Sequence, residues 1–380
     1  MNFLVLGSGM MGSAMAYDLA HSPGVEKIVL ADIDEKRVRS VASSIGTLVE
    51  PKRLDINHHD DLVALMKNAD VAIGATTYNH NVLLTKVAIE TQTHFCDLGG
   101  NMDVVDNQIA LHESAKAAGV SILPNCGLAP GMACVIAAGG AKKFSVVDEI
   151  HIRVGGLPQH PKPPLHYQLV FSAEGLINEY IEPAEAIRNS AVKHLPSMED
   201  LEVLEFPPPF GTLEAFNTSG GVSTLTRMFQ GKVKELDYKT IRYSGHCEKF
   251  KTLLDLGFAS TEPIVVGNSV RTAREVFEEL LRRKLPSNGP DVVLVRVTIT
   301  GTIGGSPKTL AYEMVDYYDE AAKITSMMRT TAFPTSIIAQ MVVNGTITAR
   351  GVYPPEQCVP LDPFIAELKK RKIIIKESIL

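Results

Sequence analysis

Near its start the chain runs through a short apolar stretch, Phe3–Leu6, into Gly7-Ser8-Gly9-Met10-Met11-Gly12. From Met10 to His21 the apolar residues recur with helical spacing. A strand that breaks in G-x-G-x-x-G and re-forms as a helix is the context in which such glycines carry meaning. Gly7 permits the tight turn, Gly9 lets the backbone approach a pyrophosphate, and Gly12 lets the helix pack close to the sheet. The helix start supplies amide donors and a partial positive charge. Gly7, Ser8, Gly9, Met10, Met11 and Gly12 are therefore expected to bind a dinucleotide. A second strand, Lys27–Ala31, ends at Asp32, about 20 residues beyond Gly12, where a ribose-binding acid belongs. A carboxylate there accepts hydrogen bonds from both ribose hydroxyls and repels a 2′-phosphate. NAD is expected over NADP, with Lys36 and Arg37 a turn away narrowing the preference.

The first third goes on alternating. Asp70–Ala75 and Thr93–Leu98 read as strands, each preceded by a helix, Asp60–Lys67 and Asn81–Glu90. Asp103–Ala118 reads as a helix stopped at Gly119, and Val120–Leu123 as the next strand. This alternation predicts a doubly wound parallel sheet of Rossmann type, with helices on both faces. Ligands of such sheets lie outside the carboxyl ends of the strands. That rule nominates Asp55 and Ile56, Gly74, Ala75 and Thr76, Asp97 and Leu98, and Leu128 and Pro130 as further cofactor contacts.

Beyond residue 125 the pattern changes. Glu149–Val154 reads as a strand leading into Gly155-Gly156-Leu157-Pro158, and the proline-rich stretch to Leu165 as a loop. Val292–Ile303, Thr309–Tyr318 and Ile324–Thr331 read as an antiparallel meander, followed by a helix over Pro334–Asn344. The prediction is a dinucleotide domain over residues 1–125, with 326–380 returning to it. A second α+β domain with a mixed or antiparallel sheet, over 126–325, is expected to carry the substrate site and oligomer contacts.

Composition removes several classes of function. The 380 residues carry 37 Lys+Arg against 43 Asp+Glu, a formal charge of −6, which is poor for a phosphate-backbone binder. No stretch has the roughly 20 apolar residues that cross a bilayer. The start lacks a positively charged n-region, so no secretory signal is read there. The five cysteines form no CxxC pair and no zinc spacing, which points to reduced thiols in the cytoplasm. His160 and His166 share one loop without an acid at matching spacing, so no metal is expected.

Longer motifs carry a resemblance. Asp97-Leu98-Gly99-Gly100, Gly127-Leu128-Ala129-Pro130-Gly131-Met132, Phe216-Asn217-Thr218-Ser219-Gly220-Gly221, Tyr238–His246 and Arg350-Gly351-Val352-Tyr353-Pro354-Pro355-Glu356 resemble the saccharopine dehydrogenase family. Within it, the chain most resembles the lysine 6-dehydrogenase branch. The resemblance implies oxidation by NAD(P) of a carbon bearing an amine. For that branch it implies oxidation at the ε-amino carbon of L-lysine, loss of ammonia, and closure of the aldehyde to piperideine-6-carboxylate. The saccharopine branch typically carries an acid in the Leu-x-Pro-Gly loop, where this chain has Ala129, and is usually longer. The competing readings are a dehydrogenase of saccharopine or another opine- or polyamine-type secondary amine, and a catalytically silent NAD-binding protein.

Such chemistry needs a neutral amine, hence a base, and then a positioned water. It also needs a cation for the substrate carboxylate and an acid for an ammonium. Lys239 and His246 are the base candidates, and Arg242 the carboxylate anchor. Leu236–Tyr243 reads as a strand, on which Lys239 and Arg242 face opposite ways unless it bends. His246 falls at a helix start, which lowers its pKa. The resemblance places Lys239-Thr240 and Asn217-Thr218 at the substrate pocket. Asp97 is expected near the nicotinamide as a catalytic-site acid that holds an ammonium, or as a cap of the glycine loop after it. Glu214 is a second candidate for an ammonium, and Tyr167 follows the proline loop as part of a lid. The expected partner is a small amino acid. A homo-oligomer is expected as well, with neither nucleic acid nor membrane.

Overall fold

The computed structural model describes residues 1–267, 269–287 and 289–380. They fall into two units. The first takes Met1–Lys143, Ser223–Leu225 and Met328–Ile375; the second takes Phe144–Val222, Thr226–Met327 and Lys376–Leu380.

The first unit is built on strands β1 (Asn2–Leu6), β2 (Lys27–Asp32), β3 (Val49–Arg53), β4 (Val71–Gly74), β5 (His94–Asp97) and β6 (Ser121–Leu123). With the late strand Gly351–Val352 they form a seven-stranded sheet in the order Gly351–Val352, β6, β5, β4, β1, β2, β3. All of its pairings are parallel. Parallel strands covered on both faces need unbroken apolar runs. Phe3–Leu6 and Val71–Ile73 are such runs, and all are buried. Each large side chain among them contributes about 1.5–3 kcal/mol. Leu62, Met66, Leu84, Val87 and Ala88, from helices His59–Met66 and Asn81–Thr91, pack with the sheet residues Leu4, Ala72 and Phe95. Helix α1 (Met10–Ala20) starts directly after the glycine loop.

The second unit contains β7 (Val146–Pro158), β8 (Ala184–Arg188), β9 (Ala191–Leu195), β10 (Glu202–Phe206), β11 (Gly211–Asn217), β12 (Glu235–Tyr243), a separate hairpin β13 (Pro263–Val266) and β14 (Ser269–Thr272), then β15 (Asp291–Ile303) and β16 (Ser306–Tyr317). Its nine-stranded sheet runs β10, β11, β12, β7, β15, β16 and Lys376–Ile379, with β8 on β12 and β9 on β8. Only β12 and β7 run parallel among its described pairings. The doubly wound parallel sheet and the second α+β domain with a mixed sheet are thus both present.

Three local readings change, and one strand is missed. Ile324–Thr331 is not a third meander strand: Ser326–Val343 is one helix that passes through Pro334. Its start is fixed by Asp291, which accepts from the Ser326 and Met327 amides at 2.6 and 2.8 Å. The β-branched run over residues 330–331 mimics a strand, and this cap overrides it. Asp103–Ala118 is two helices, Met102–Ile109 and His112–Ala117. Gly155 and Gly156 lie inside β7 rather than beyond it. A Cβ at Gly155 would come within 2.7 Å of Ile241, so glycine serves close strand packing there. Strand β3, with Pro51, Lys52 and Arg53, is too polar to stand out by pattern.

Candidate active site

In the first unit the candidate cofactor residues collect at the carboxyl end of the sheet. Gly7 has a φ of +107°, and a Cβ on it would meet the Ala75 carbonyl oxygen at 2.6 Å. A Cβ on Gly12 would meet the Gly7 oxygen at 1.8 Å, while one on Gly9 meets nothing within 4 Å. The loop is thus packed shut at Gly7 and Gly12 and open at Gly9, as a pyrophosphate cradle requires. No side chain caps the start of α1, which leaves the amides of Met10, Met11 and Gly12 free of a side-chain acceptor. Asp32 Oδ2 accepts from the Ser8 amide at 2.6 Å and its hydroxyl at 2.8 Å. Asp32 Oδ1 accepts from the Asp34 amide at 2.9 Å and lies 3.4 Å from the Arg37 guanidinium. Burial opposes the Asp32 charge, yet these donors outweigh it and hold the carboxyl below its ordinary value. Gly74 ends β4 beside β1, Ala75 and Thr76 follow it, and the buried Thr76 Oγ1 has no hydrogen-bond partner among the described residues. An orphaned hydroxyl beside an open glycine cradle fits a dinucleotide.

Asp55 sits past β3 and accepts from the Asn57 amide at 3.0 Å and side chain at 2.9 Å, an Asx turn, with Ile56 against the core. Asp97 ends β5 and is fully buried, with Leu98 following it. Its oxygens accept from Gln108 Nε2 and from the Gly99 amide, each at 2.7 Å. It therefore caps the glycine loop. Burial pushes its carboxyl up to about 6. Leu128 and Pro130 lie in a loop closed by the Met132 amide on the Gly127 oxygen at 2.8 Å and the Ala133 amide on the Leu128 oxygen at 2.9 Å.

In the second unit the substrate candidates divide over the two faces of β12. Strand alternation sends Asp237 and Lys239 one way, and Thr240 and Arg242 the other. Lys239 Nζ lies 3.0 Å from Glu202 Oε2, 3.1 Å from Asp200 Oδ2 and 2.5 Å from the Asp200 carbonyl oxygen. Arg153 bridges Glu202 at 2.6 Å to Asp237 at 2.6 Å, and Arg188 and His151 also bind Asp237, each at 2.8 Å. Asp237 is held well below the carboxylate range: burial opposes its charge, and His151 and Arg153 outweigh it.

The other face is different. Arg242 is buried, yet makes no ion pair among the described residues. Its Nε donates to Tyr180 Oη at 2.8 Å and its Nη1 to the Ile241 oxygen at 2.9 Å. Its guanidinium carbon lies 4.8 Å from the Tyr167 ring centre and 5.7 Å from that of Tyr180. The Tyr167 hydroxyl is buried without a hydrogen-bond partner among the described residues, and burial pushes it up to about 12. His246 Nδ1 is 2.9 Å from the Leu165 oxygen, so it carries the proton. Nε2 then accepts from Tyr180 Oη at 3.1 Å. Burial, then Arg242, push His246 down to about 3, so the larger cause is burial rather than the helix start. Thr218 and Thr240 hydroxyls are 2.7 Å apart, and Thr240 bonds Glu179 at 2.7 Å. Asn217 pairs in register with Lys239. Glu214 is committed elsewhere: its oxygens accept the Cys247 amide at 2.6 Å and the Gly245 amide at 2.8 Å, capping helix His246–Asp255.

The structure thus brings Arg242, Tyr167, His246, Thr240 and Thr218 together and sets Lys239 apart. Tyr180 and Glu179, which join them, have no sequence signal beyond adjacent places on helix Ala173–Ile181.

Residues 3–123 match the saccharopine dehydrogenase NADP binding domain, and residues 127–374 the saccharopine dehydrogenase C-terminal domain. The chain belongs to the saccharopine dehydrogenase family. Among its relatives, the alpha-aminoadipic semialdehyde synthase of Arabidopsis thaliana is 25% identical over 62% of this chain and 23% of its own length. The mitochondrial enzyme of that name from Mus musculus is 20% identical over 98% of this chain and 47% of its own length. The chain therefore spans less than half the length of each of these two relatives. The NADP(+), L-glutamate-forming saccharopine dehydrogenase of Saccharomyces cerevisiae is 22% identical, over 99% of each chain. The apo structure of the L-Glu-forming saccharopine dehydrogenase from Saccharomyces cerevisiae aligns over 100% of this chain and 99% of that one, with a TM-score of 0.82 at 20% identity. The homospermidine synthase of Legionella pneumophila, solved in complex with NAD, aligns over 99% of this chain and 91% of that one, with a TM-score of 0.71 at 14% identity. These two likenesses establish the fold. The closeness to the lysine 6-dehydrogenase branch has no counterpart among these relatives. Among the described residues no helix is long and apolar enough to cross a membrane, and no cluster of His, Cys, Asp and Glu could hold a metal.

Proposed function

We propose that the chain is a nicotinamide-dinucleotide dehydrogenase that oxidises an amine-bearing carbon of an amino acid, and specifically the ε-carbon of L-lysine. Loss of hydride from that carbon leaves an iminium, water hydrolyses it to the aldehyde and ammonia, and the aldehyde condenses with the α-amine, losing water, to piperideine-6-carboxylate. The observation that carries the reading is Arg242, a buried guanidinium with no ion-paired carboxylate among the described residues, beside a buried phenol with no hydrogen-bond partner among them. Buried charges are normally paired, so one without a partner anticipates a ligand anion. The planar fork suits a substrate carboxylate, with the Tyr167 hydroxyl as a further donor. Neutral His246 fixes Tyr180, and Tyr180 fixes Arg242.

When bound, the nicotinamide accepts the hydride. The loop amides hold its pyrophosphate and Asp32 its ribose, which favours NAD; Arg37 on Asp32 keeps NADP from full exclusion. Asp97 has both oxygens engaged by Gln108 and the Gly99 amide, and burial raises its carboxyl to about 6. Lys239 already spends its proton donors on Glu202 and Asp200, and both nitrogens of His246 are engaged. Ala129 favours lysine over saccharopine by the branch pattern. The relatives' names favour a second reading, saccharopine with NADP. The reading includes a cytoplasmic homo-oligomer acting on a free amino acid.

The test is an amine screen with both nucleotides. L-Lysine with NAD is expected to give NADH and ammonia in equal amounts without 2-oxoglutarate. Nucleotide reduction with L-saccharopine alone replaces this reading with the second. Asp32→Ala is expected to weaken NAD about tenfold and bring the NAD to NADP ratio of kcat/KM toward one. An unchanged ratio shows that Asp32 does not read the ribose.

A further inference from the structure

One charged residue on the Arg242 face has no part in the reading above. Glu179 lies near the end of helix Ala173–Ile181, one position before Tyr180. Its Oε1 is 2.7 Å from Thr240 Oγ1, which is 2.7 Å from Thr218 Oγ1. A carboxylate oxygen only accepts, so Thr240 donates to Glu179, and Thr218 in turn donates to Thr240. The Ser219 amide donates to the Glu179 backbone oxygen at 3.0 Å. Thr240 therefore orients the carboxylate through Oε1 and Ser219 fixes the backbone that carries it, while Oε2 has no donor among the described residues.

Glu179 is half-buried and close enough to act electrostatically on Arg242, Tyr167 and Tyr180. Yet it forms no ion pair with Arg242. Opposite charges this near close on one another unless something holds each in place. Tyr180 holds the guanidinium and Thr240 holds the carboxylate. What remains is an anion site and a cation site side by side, neither satisfied from within. A buried guanidinium left this way is costly, and one ligand carrying both opposite charges would answer it and the half-buried carboxylate together.

We propose that Glu179 binds the α-ammonium of the substrate while Arg242 binds its α-carboxylate, so that this face selects a free α-amino-acid head and rejects diamines and plain carboxylates. The Thr218–Thr240 pair is the positioning element that aims Glu179. The inference rests on reading Arg242 as a carboxylate anchor, and it holds for any substrate with that head.

Its test uses probes without a reactive amine, so that binding is read apart from turnover. L-Norleucine and hexanoate differ only in the α-ammonium. Calorimetry on the full chain is expected to show L-norleucine bound about 30- to 100-fold more tightly. Glu179→Gln should cut that preference below about fivefold with hexanoate affinity unchanged, and Thr240→Val should reduce it partway; circular dichroism confirms that both variants fold. A wild type without preference, or a Glu179→Gln protein that keeps it, overturns the inference. A wild type that shows the preference and loses it in Glu179→Gln, yet reduces no nucleotide with L-lysine, overturns the proposed reaction and leaves this inference standing.

Discussion

The two faces of β12 carry similar residue types in opposite states of saturation. Lys239 and Arg242 are both cations and both buried, 3% exposed each. Lys239 has two carboxylates and a carbonyl within hydrogen-bonding distance. Arg242 has a phenol and its own strand's carbonyl, and no carboxylate within ion-pair distance among the described residues. The first arrangement is complete without a ligand. The second is not, and that difference separates a structural ion network from a binding face more sharply than residue type does.

The comparison breaks first at Arg242. Arg242→Lys keeps the charge but loses the fork and its stacking between Tyr167 and Tyr180. It is expected to lower kcat/KM for the amine substrate about 100- to 1,000-fold. The loss should sit mainly in KM, because a carboxylate remote from the reacting carbon is held alike in the ground and transition states. A change within threefold would make Arg242 a structural cation like its neighbour.

Lys239→Met is the matching experiment on the closed face, with a different readout. Removing one member of a buried network leaves carboxylates without their partner. Asp200 and Glu202 are partly exposed, which screens the loss. The expected cost is about 2–3 kcal/mol in the denaturant midpoint, with kcat/KM within threefold of wild type. A collapsed rate at unchanged stability would restore Lys239 as the base.

The first unit was far more legible in the sequence than these two faces. Gly7, Gly12 and Asp32 act through backbone geometry and one strand end, which local order specifies. Alternation on β12 also foretold that Lys239 and Arg242 diverge. What lay beyond reading was which face is filled. Glu202 and Asp200 reach Lys239 from β10 and the residues before it, and Tyr180 reaches Arg242 from a helix some sixty residues earlier. Glu214 looked like a candidate for an ammonium because the Gly245 and Cys247 amides that claim it come about thirty residues later. The third meander strand failed for the same reason: Asp291, distant in sequence, caps the helix that replaces it.

His246 sharpens the comparison with the smallest effect. Its neutral ring accepts from Tyr180, which leaves the Tyr180 oxygen aimed at Arg242. Burial and the Arg242 charge lower its pKa from 6.5 to about 3. Between those values the unfolded chain takes up a proton that the folded chain refuses, so this contribution is fully present above pH 6.5 and is lost as pH falls toward 3. Asp97 and Asp291, raised by burial to about 6, contribute with the opposite sign, stability being lost as pH rises from 3.8 through 6. Both acids persist in His246→Gln and cancel in the difference between the two proteins. The variant is therefore expected to be about 1–2 kcal/mol less stable than wild type at pH 7, from the strained or lost bonds to Leu165 and Tyr180. That gap should shrink, and then reverse, as denaturant midpoints are followed down through pH 5. A gap that stays constant with pH would mean that His246 titrates alike in folded and unfolded chains, and that the open face does not depend on a neutral imidazole to keep its guanidinium in place.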